Sequence, residues 1–248
     1  MQTILISGAT AGIGKACAEA FAQKENCRLI LTGRRAERLQ QLADDLPVEV
    51  LPLSFDIRDA KAVQTAVDNI PEAWHPIDIL VNNAGLAVGL NPLQEGILDD
   101  WERMIDTNVK GLLYLSRAVT PLMIKAGHGQ VFNIGSIAGK EVYPNGNVYC
   151  ASKHAANALS QGMRMDLLPH GIKVTHVAPG LVNTEFSSVR FKGDTERADQ
   201  VYNGMTPLKG EDVAEIVVYL SGLPAHVTVN EIVIMPTDQA SSLVVRRE

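Results

Sequence analysis

Thr3-Ile4-Leu5-Ile6-Ser7-Gly8-Ala9-Thr10-Ala11-Gly12-Ile13-Gly14 joins a short apolar run to a glycine loop. The apolar run has strand character. Ile13, Cys17, Ala20 and Phe21 then recur at i, i+4, i+7 and i+8, the period of an amphipathic helix. Gly8, Gly12 and Gly14 lie between strand and helix, where bare backbone can approach a pyrophosphate. The helix N-terminus adds its partial positive charge. A tight turn that needs glycine only for its backbone is the plainer alternative. The strand before and the helix after favour a cofactor loop. The spacing is G-x-x-x-G-x-G, not the G-x-G-x-x-G of other dinucleotide folds.

The same alternation continues outward. Arg28–Thr32, Val48–Leu53, Ile77–Val81, Val131–Ile134, Lys173–Val177 and a segment within Val229–Met235 read as strands. Helical periods separate them, including two long helices over about 99–126 and 147–168. Pro52 cannot donate to a ladder, so it suggests an edge strand. Strand-helix alternation predicts one doubly wound, Rossmann-type α/β domain over residues 1–248, with a parallel sheet, right-handed crossovers and helices on both faces. Residues 185–209 are rich in charge and long for a connection, which suggests a substrate lid.

Several positions carry chemistry. An NAD enzyme places an acid near position 34 to take the ribose hydroxyls; here stand Arg34 and Arg35 with no carboxylate. Guanidinium suits a 2′-phosphate, so NADP is expected, the alternative being a solvated pair at a helix start. Tyr149 and Lys153 are one helical turn apart on one face, where an ammonium can lower a phenol's pKa. Ser136 follows the fifth strand, placed to grip a carbonyl while the tyrosine passes a proton. Asn108 interrupts an apolar helical stripe, so its amide must be hydrogen-bonded. Tyr143 lies in a loop that can line the pocket. Asp56 stands where it can cap the following helix.

Together the glycine loop, Asn82-Asn83-Ala84-Gly85, Asn108-Val109-Lys110-Gly111, Ser136 and Tyr149-x-x-x-Lys153 resemble the short-chain dehydrogenase/reductase family along nearly the whole chain. The resemblance implies seven strands, a homotetramer built through the two long helices, and hydride transfer with Ser136, Tyr149 and Lys153 as catalytic residues. Asn108 would hold a relay water; a satisfied core asparagine is the other reading. Gly8, Thr10, Gly12, Ile13, Gly14, Arg34, Arg35, Asp56, Ile57, Asn82, Ala84, Gly85, Tyr149, Lys153, Pro179, Gly180, Val182 and Thr184 would hold the cofactor. Asn82 would also steady the sheet. Asp56 would contact the adenine with Ile57 beside it, the alternative to a helix cap.

Four segments, among them Trp101–Asn108 and the lid run Val189-Arg190-Phe191-Lys192-Gly193-Asp194, are similar to the family's bacterial NADP-dependent 3-hydroxy acid dehydrogenases. These act on serine and allo-threonine. The similarity implies small 3-hydroxy acids of the 3-hydroxyisobutyrate or 3-hydroxypropionate type, bound near Ser136, Tyr143 and Tyr149. A lid arginine can clamp a carboxylate bidentately. Arg190 is the first choice and Lys192 the second, against an ion pair between lid and body. A reductase of malonic semialdehyde or sulfoacetaldehyde, or a non-catalytic NADP sensor, are the rivals.

The 248 residues, 46% hydrophobic and 20% charged, suit one soluble domain. A formal charge of -6 speaks against nucleic acid. Cys17, Cys27 and Cys150 have no paired or ligand spacing, and the histidines form no cluster, so no metal is expected. No leader-like or spanning apolar run is present, so a cytoplasmic protein free of membrane is expected.

Overall fold

The structure, a computed structural model, describes residues Met1–Glu248. In the first half, β1 (Gln2–Ser7), β2 (Cys27–Gly33), β3 (Val50–Ser54) and β4 (Ile79–Asn82) alternate with α1 (Gly12–Phe21), α2 (Ala36–Asp45) and α3 (Ala60–Asp68). The second half has α4 (Leu98–Ile105), α5 (Leu112–Ala126), β5 (Gly129–Ile134), α6 (Asn147–Leu167) and β6 (Ile172–Pro179). It closes with β7 (Val182–Asn183), α7 (Glu185–Arg190), α8 (Thr195–Gln200), β8 (Leu208–Lys209), α9 (Gly210–Ser221) and β9 (Glu231–Ile234). Seven strands pair in parallel in the order β3-β2-β1-β4-β5-β6-β9. Every expected strand is present, and Pro52 sits on the outermost strand, where its missing N–H breaks no ladder.

Alternate side chains leave the sheet on opposite faces. Ile4 and Ile6 of β1 join Leu29, Leu31, Phe21 and Val217 in one buried layer against α1, α2 and α9. Leu5, Ile30 and Leu80 join Leu115, Val119 and Val131 in the other, against α3, α5 and α6. Burying each such side chain contributes roughly 1.5–3 kcal/mol, so both faces are held firmly. The strand order reverses between β1 and β4, which opens a crevice at the carboxyl ends of the strands.

The expected long helix over 99–126 contains one π turn, Asp106–Gly111, between α4 and α5. Two contacts accompany it. The Asn108 side chain is pinned to Leu86, and Gly111 lies so close to Ile57 that a Cβ would stand 2.9 Å from Ile57 Cγ2. The lid folds as α7 and α8, with the two-residue strands β7 and β8 pairing at its base. The weakly patterned tail is also fixed: the Glu248 amide donates to the Gly204 carbonyl, 2.9 Å, and Arg246 pairs with Asp238.

Candidate active site

The glycine loop ends β1 and turns into α1. Gly8 and Gly12 have φ of +67° and +54°, a region costly for any residue with a Cβ. A Cβ on Gly14 would stand 2.4 Å from the Asn83 side chain and from the Gly8 carbonyl. That closeness comes from stitching to β4. The Ser7 hydroxyl accepts from the Asn83 and Ala84 amides, both at 3.0 Å, and donates to the Val81 carbonyl. The Asn83 amide in turn donates to the Ser7 and Gly8 carbonyls, at 3.0 and 3.2 Å. Asn82 works elsewhere: it donates to Ser116 and to Asn133, tying β4 to α5 and β5.

Beyond the loop, Arg35 donates from Nε and Nη2 to the Thr10 hydroxyl, at 3.0 and 2.8 Å. Its Nη1 meets Glu185 at 2.9 Å, and Arg38 meets the other oxygen of the same carboxylate at 2.9 Å. Arg34 is exposed and makes no ion pair. Asp56 lines the cleft with Ile57, and Arg58 holds its carboxyl below the usual range through a 2.7 Å bond. The helix-capping reading of Asp56 is corrected. Asp59 caps α3, accepting from the Lys61 and Ala62 amides, because it stands at the position whose side chain reaches those N–H groups.

At the carboxyl end of β5, Ser136 is buried and accepts from the Ala138 amide at 3.1 Å. Tyr149 and Lys153 are both buried on α6, as their spacing predicts. The spacing suggests that Lys153 lowers the Tyr149 pKa, but the largest influences on the phenol lie elsewhere. Burial pushes the phenol up, and the groups drawing it back are the Ser136 hydroxyl and the Arg190 guanidinium. Lys153 Nζ lies 6.0 Å from the Tyr149 ring centre and donates to the Ile134 carbonyl at 3.0 Å. Burial lowers its own pKa to about 8.

Asn108 is buried and bonded through both amide atoms: Oδ1 accepts from the Leu86 amide, and Nδ2 donates to the Leu86 carbonyl and the Ser152 hydroxyl. Behind Ser136, the imidazole of His176 presses on Gly135, where a Cβ would stand 2.0 Å from Nε2. His176 Nδ1 donates to Glu231 at 3.0 Å, and Glu231 pairs with Lys140 at 2.8 Å.

The far end of the cleft belongs to the lid. Arg190 donates to the Tyr143 hydroxyl at 3.0 Å and lies over the rings of Tyr143 and Tyr149, 5.4 and 5.6 Å from their centres. Its Nε is buried without a hydrogen-bond partner, and it has no carboxylate. The ion-pair reading of Arg190 is therefore overturned. So is Lys192 as a clamp: it pairs at 2.8 Å with buried Asp100, which turns it away from the cleft. Phe186 packs edge-on to Tyr149 at 5.6 Å. Tyr143 fixes Gly146, where a Cβ would fall 2.1 Å from the ring.

These parts enclose one cavity of about 490 Å³, running from Thr10 and Arg35 past the glycine loop to Tyr149 and Arg190. Pro179, Gly180, Val182 and Thr184 wall it, and Gln239 from the tail accepts the Leu181 amide at 2.8 Å. Gly14, Asn82 and Asn108 do not reach the cavity; they shape its wall from behind. Asn83, Arg38, Glu185 and Gln239 were missed in the sequence. Only Asn83 had a signal, its place beside the strand end. No group of three or more His, Cys, Asp or Glu is placed to hold a metal ion.

A family model described as short chain dehydrogenase matches residues 2–194. An NADP-dependent 3-hydroxy acid dehydrogenase of Salmonella typhi is 47% identical over 238 residues, 96% of each chain. Sulfoacetaldehyde reductase 2 of Chromohalobacter salexigens is 48% identical over 242 residues, again 96% of each chain. A solved closed form of serine dehydrogenase complexed with NADP+ is 45% identical and superposes over all of both chains with a TM-score of 0.94.

Proposed function

The chain belongs to the short-chain dehydrogenase family, and on that premise we propose that it catalyses reversible NADP-dependent hydride transfer at the 3-hydroxyl of small 3-hydroxy acids. Serine, allo-threonine, 3-hydroxyisobutyrate and 3-hydroxypropionate are the substrate type. The observation that carries this reading is Arg190: a half-buried guanidinium beside Tyr149, its Nε buried without a partner and no carboxylate near it.

The residues present fit the cofactor. The left-handed glycines Gly8 and Gly12 leave a bare cradle at the start of α1. Thr10, Arg34 and Arg35 would take the phosphate end, Asp56 and Ile57 the adenine, and Ala84, Gly85, Lys153, Pro179, Gly180, Val182 and Thr184 the nicotinamide half. When bound, NADP exchanges the hydride, and its oxidised ring adds a positive charge that draws the Tyr149 ionisation back down.

The chain's own residues handle orientation and the proton. Arg190 grips the substrate carboxylate and holds the 3-carbon over Tyr149. Ser136 donates to the substrate oxygen. Tyr149 gives its phenolic proton to that oxygen in reduction and takes it back in oxidation. Lys153 holds positive charge near it and would contact the nicotinamide ribose when the cofactor is bound. Asn108, held by Leu86 and Ser152, acts by fixing the helix at the π turn. Phe186 and the lid exclude water.

Sulfoacetaldehyde reduction is the second reading, favoured by the relative of that name. Arg190 would grip a sulfonate by the same geometry. Exposed Leu113, Ile124 and Met165 on α5 and α6 support a homotetramer through those helices. Three buried free thiols suit a reducing cytoplasm. No helix is long and apolar enough to cross a membrane.

The test is a turnover panel of serine enantiomers, allo-threonine, 3-hydroxy acids, sulfoacetaldehyde and carboxylate-free alcohols with NADP(H). Turnover confined to the acids, and lowered about 10²–10⁴-fold in Tyr149→Phe, is expected. Turnover on neutral alcohols alone discards the acid reading. Binding of NADPH without turnover on any compound moves the protein to a sensor.

A further inference from the structure

Glu185 occupies a position that its two partners would give to a phosphate. Its oxygens are divided between two guanidinium groups, Oε2 with Arg35 and Oε1 with Arg38, each at 2.9 Å. Arg35 is already oriented by two bonds to Thr10, a residue of the glycine loop. Two cations therefore converge on one carboxylate charge, at the end of the cleft where the adenosine ribose would lie. A phosphate monoester brings close to two negative charges and three acceptor oxygens, and serves two guanidinium forks better than one carboxylate does. All three side chains are about half exposed, so the contact is of the weak, exchangeable kind. Arg35, with Arg38, holds the Glu185 carboxyl below its usual range, which keeps it ionised at neutral pH.

Glu185 is also the first residue of α7, and Arg190 is the last. This short helix is fixed at one end by Arg35 and Arg38. At the other it is fixed by Tyr143, by the Gly89 amide donating to the Arg190 carbonyl at 2.9 Å, and by the Lys192–Asp100 pair.

We propose that Glu185 is an internal stand-in for the 2′-phosphate of the cofactor, that Arg38 joins Arg35 in binding that phosphate, and that its arrival displaces Glu185 and frees the first turn of the lid helix. Selection of the phosphorylated cofactor and release of the lid are then one event. A dinucleotide lacking the phosphate leaves the tether in place. This rests on the NADP reading above.

The experiment uses the full chain and two ligands that carry no nicotinamide, adenosine 2′,5′-bisphosphate and adenosine 5′-monophosphate. Calorimetry reads affinity and amide hydrogen exchange reads residues 185–192. In the wild type, the bisphosphate should speed exchange in that segment and the monophosphate should not. Glu185→Gln should bind the bisphosphate roughly three- to tenfold more tightly, with the monophosphate unchanged. Its segment should exchange fast from the outset and ignore the ligand. Arg38→Gln should weaken the bisphosphate alone. If the wild type prefers the bisphosphate but Glu185→Gln binds it no better, the stand-in is wrong and the NADP reading stands. The same holds if the lid does not respond. If the wild type binds both ligands equally, the NADP reading falls and this proposal with it. Loss of monophosphate binding in Glu185→Gln would make Glu185 a ribose-hydroxyl acceptor instead, which also overturns it.

Discussion

The two ends of the cleft each present guanidinium, and they hold it differently. At one end Arg35 and Arg38 stand in water, share a carboxylate, and come from the body of the domain. At the other end Arg190 is set between two phenol rings, has no counterion, and comes from the lid. A solvated ion pair can change partners at little cost. A guanidinium partly withdrawn from water without an anion carries a desolvation cost, and the cost is relieved when an anion arrives. The first site is therefore suited to discriminating between two cofactors that share most of their contacts. The second is suited to making turnover depend on whether the substrate carries an acid group.

The largest break in this comparison should come from Arg190→Met. Truncating a charge contact that the substrate buries costs about 2–5 kcal/mol, and each 1.4 kcal/mol is tenfold, so kcat/KM on serine should fall about 30-fold or more. A neutral alcohol should lose less than tenfold, by the same arithmetic. Equal losses would remove the clamp. The variant also reads the proton chemistry. Oxidation needs Tyr149 as phenolate, so its rate rises with pH through that ionisation, whereas reduction needs the phenol and falls. Arg190 draws the Tyr149 pKa down, so the rising limb should move to higher pH in Arg190→Met. A limb that stays in place would separate Arg190 from the proton step.

Lys153, a buried cation, sharpens the same point through stability. Lys153 has a folded pKa of about 8 against an ordinary 10.5. The folded state binds this proton less tightly than the unfolded state does. The penalty is full below about pH 8 and disappears as pH rises toward 10.5. At about 1.4 kcal/mol per pKa unit the penalty is on the order of 3 kcal/mol, less about 1 for the hydrogen bond to Ile134. Lys153→Met should therefore melt higher at pH 7 while losing turnover, with the difference in Tm shrinking toward pH 10. A lower Tm at pH 7 would show that the ammonium is well solvated by its surroundings.

At the exposed end the effects are smaller. Arg35→Gln should weaken NADPH about tenfold and NADH hardly at all, as expected for one lost charge-assisted contact. Smallest is Lys192→Ala, which cuts one strut of the lid. A rise of about threefold in KM for serine at constant kcat, with faster amide exchange over α7, is expected.

The sequence was read most readily where pattern is local. All seven strands of the large sheet follow from apolar runs, Pro52 marks the edge, and Tyr149 and Lys153 fall on one helical face. What it did not disclose are partnerships across long separations. Glu185 meets Arg35 from 150 residues away. No periodicity records that pair, because both side chains are solvated and neither pattern changes without the other. Asn82 and Asn83 are adjacent and chemically identical. Only the alternation of the strand end decides that one braces the sheet and the other braces the glycine loop. The π turn is hidden for a similar reason: Asn108 signals a buried amide, but the Leu86 backbone that receives it lies in a loop without pattern.

Gly135 and His176 divide a single volume, with the imidazole filling the space a side chain at 135 would need. Sequence change at the two positions is consequently tied. Any larger residue at 135 is compatible with the fold only if 176 shrinks first, and a smaller residue at 176 removes the wall behind Ser136. Drift or design that aims to reshape the catalytic floor must move both positions together, and libraries that vary one alone will sample mostly chains that fail to assemble it.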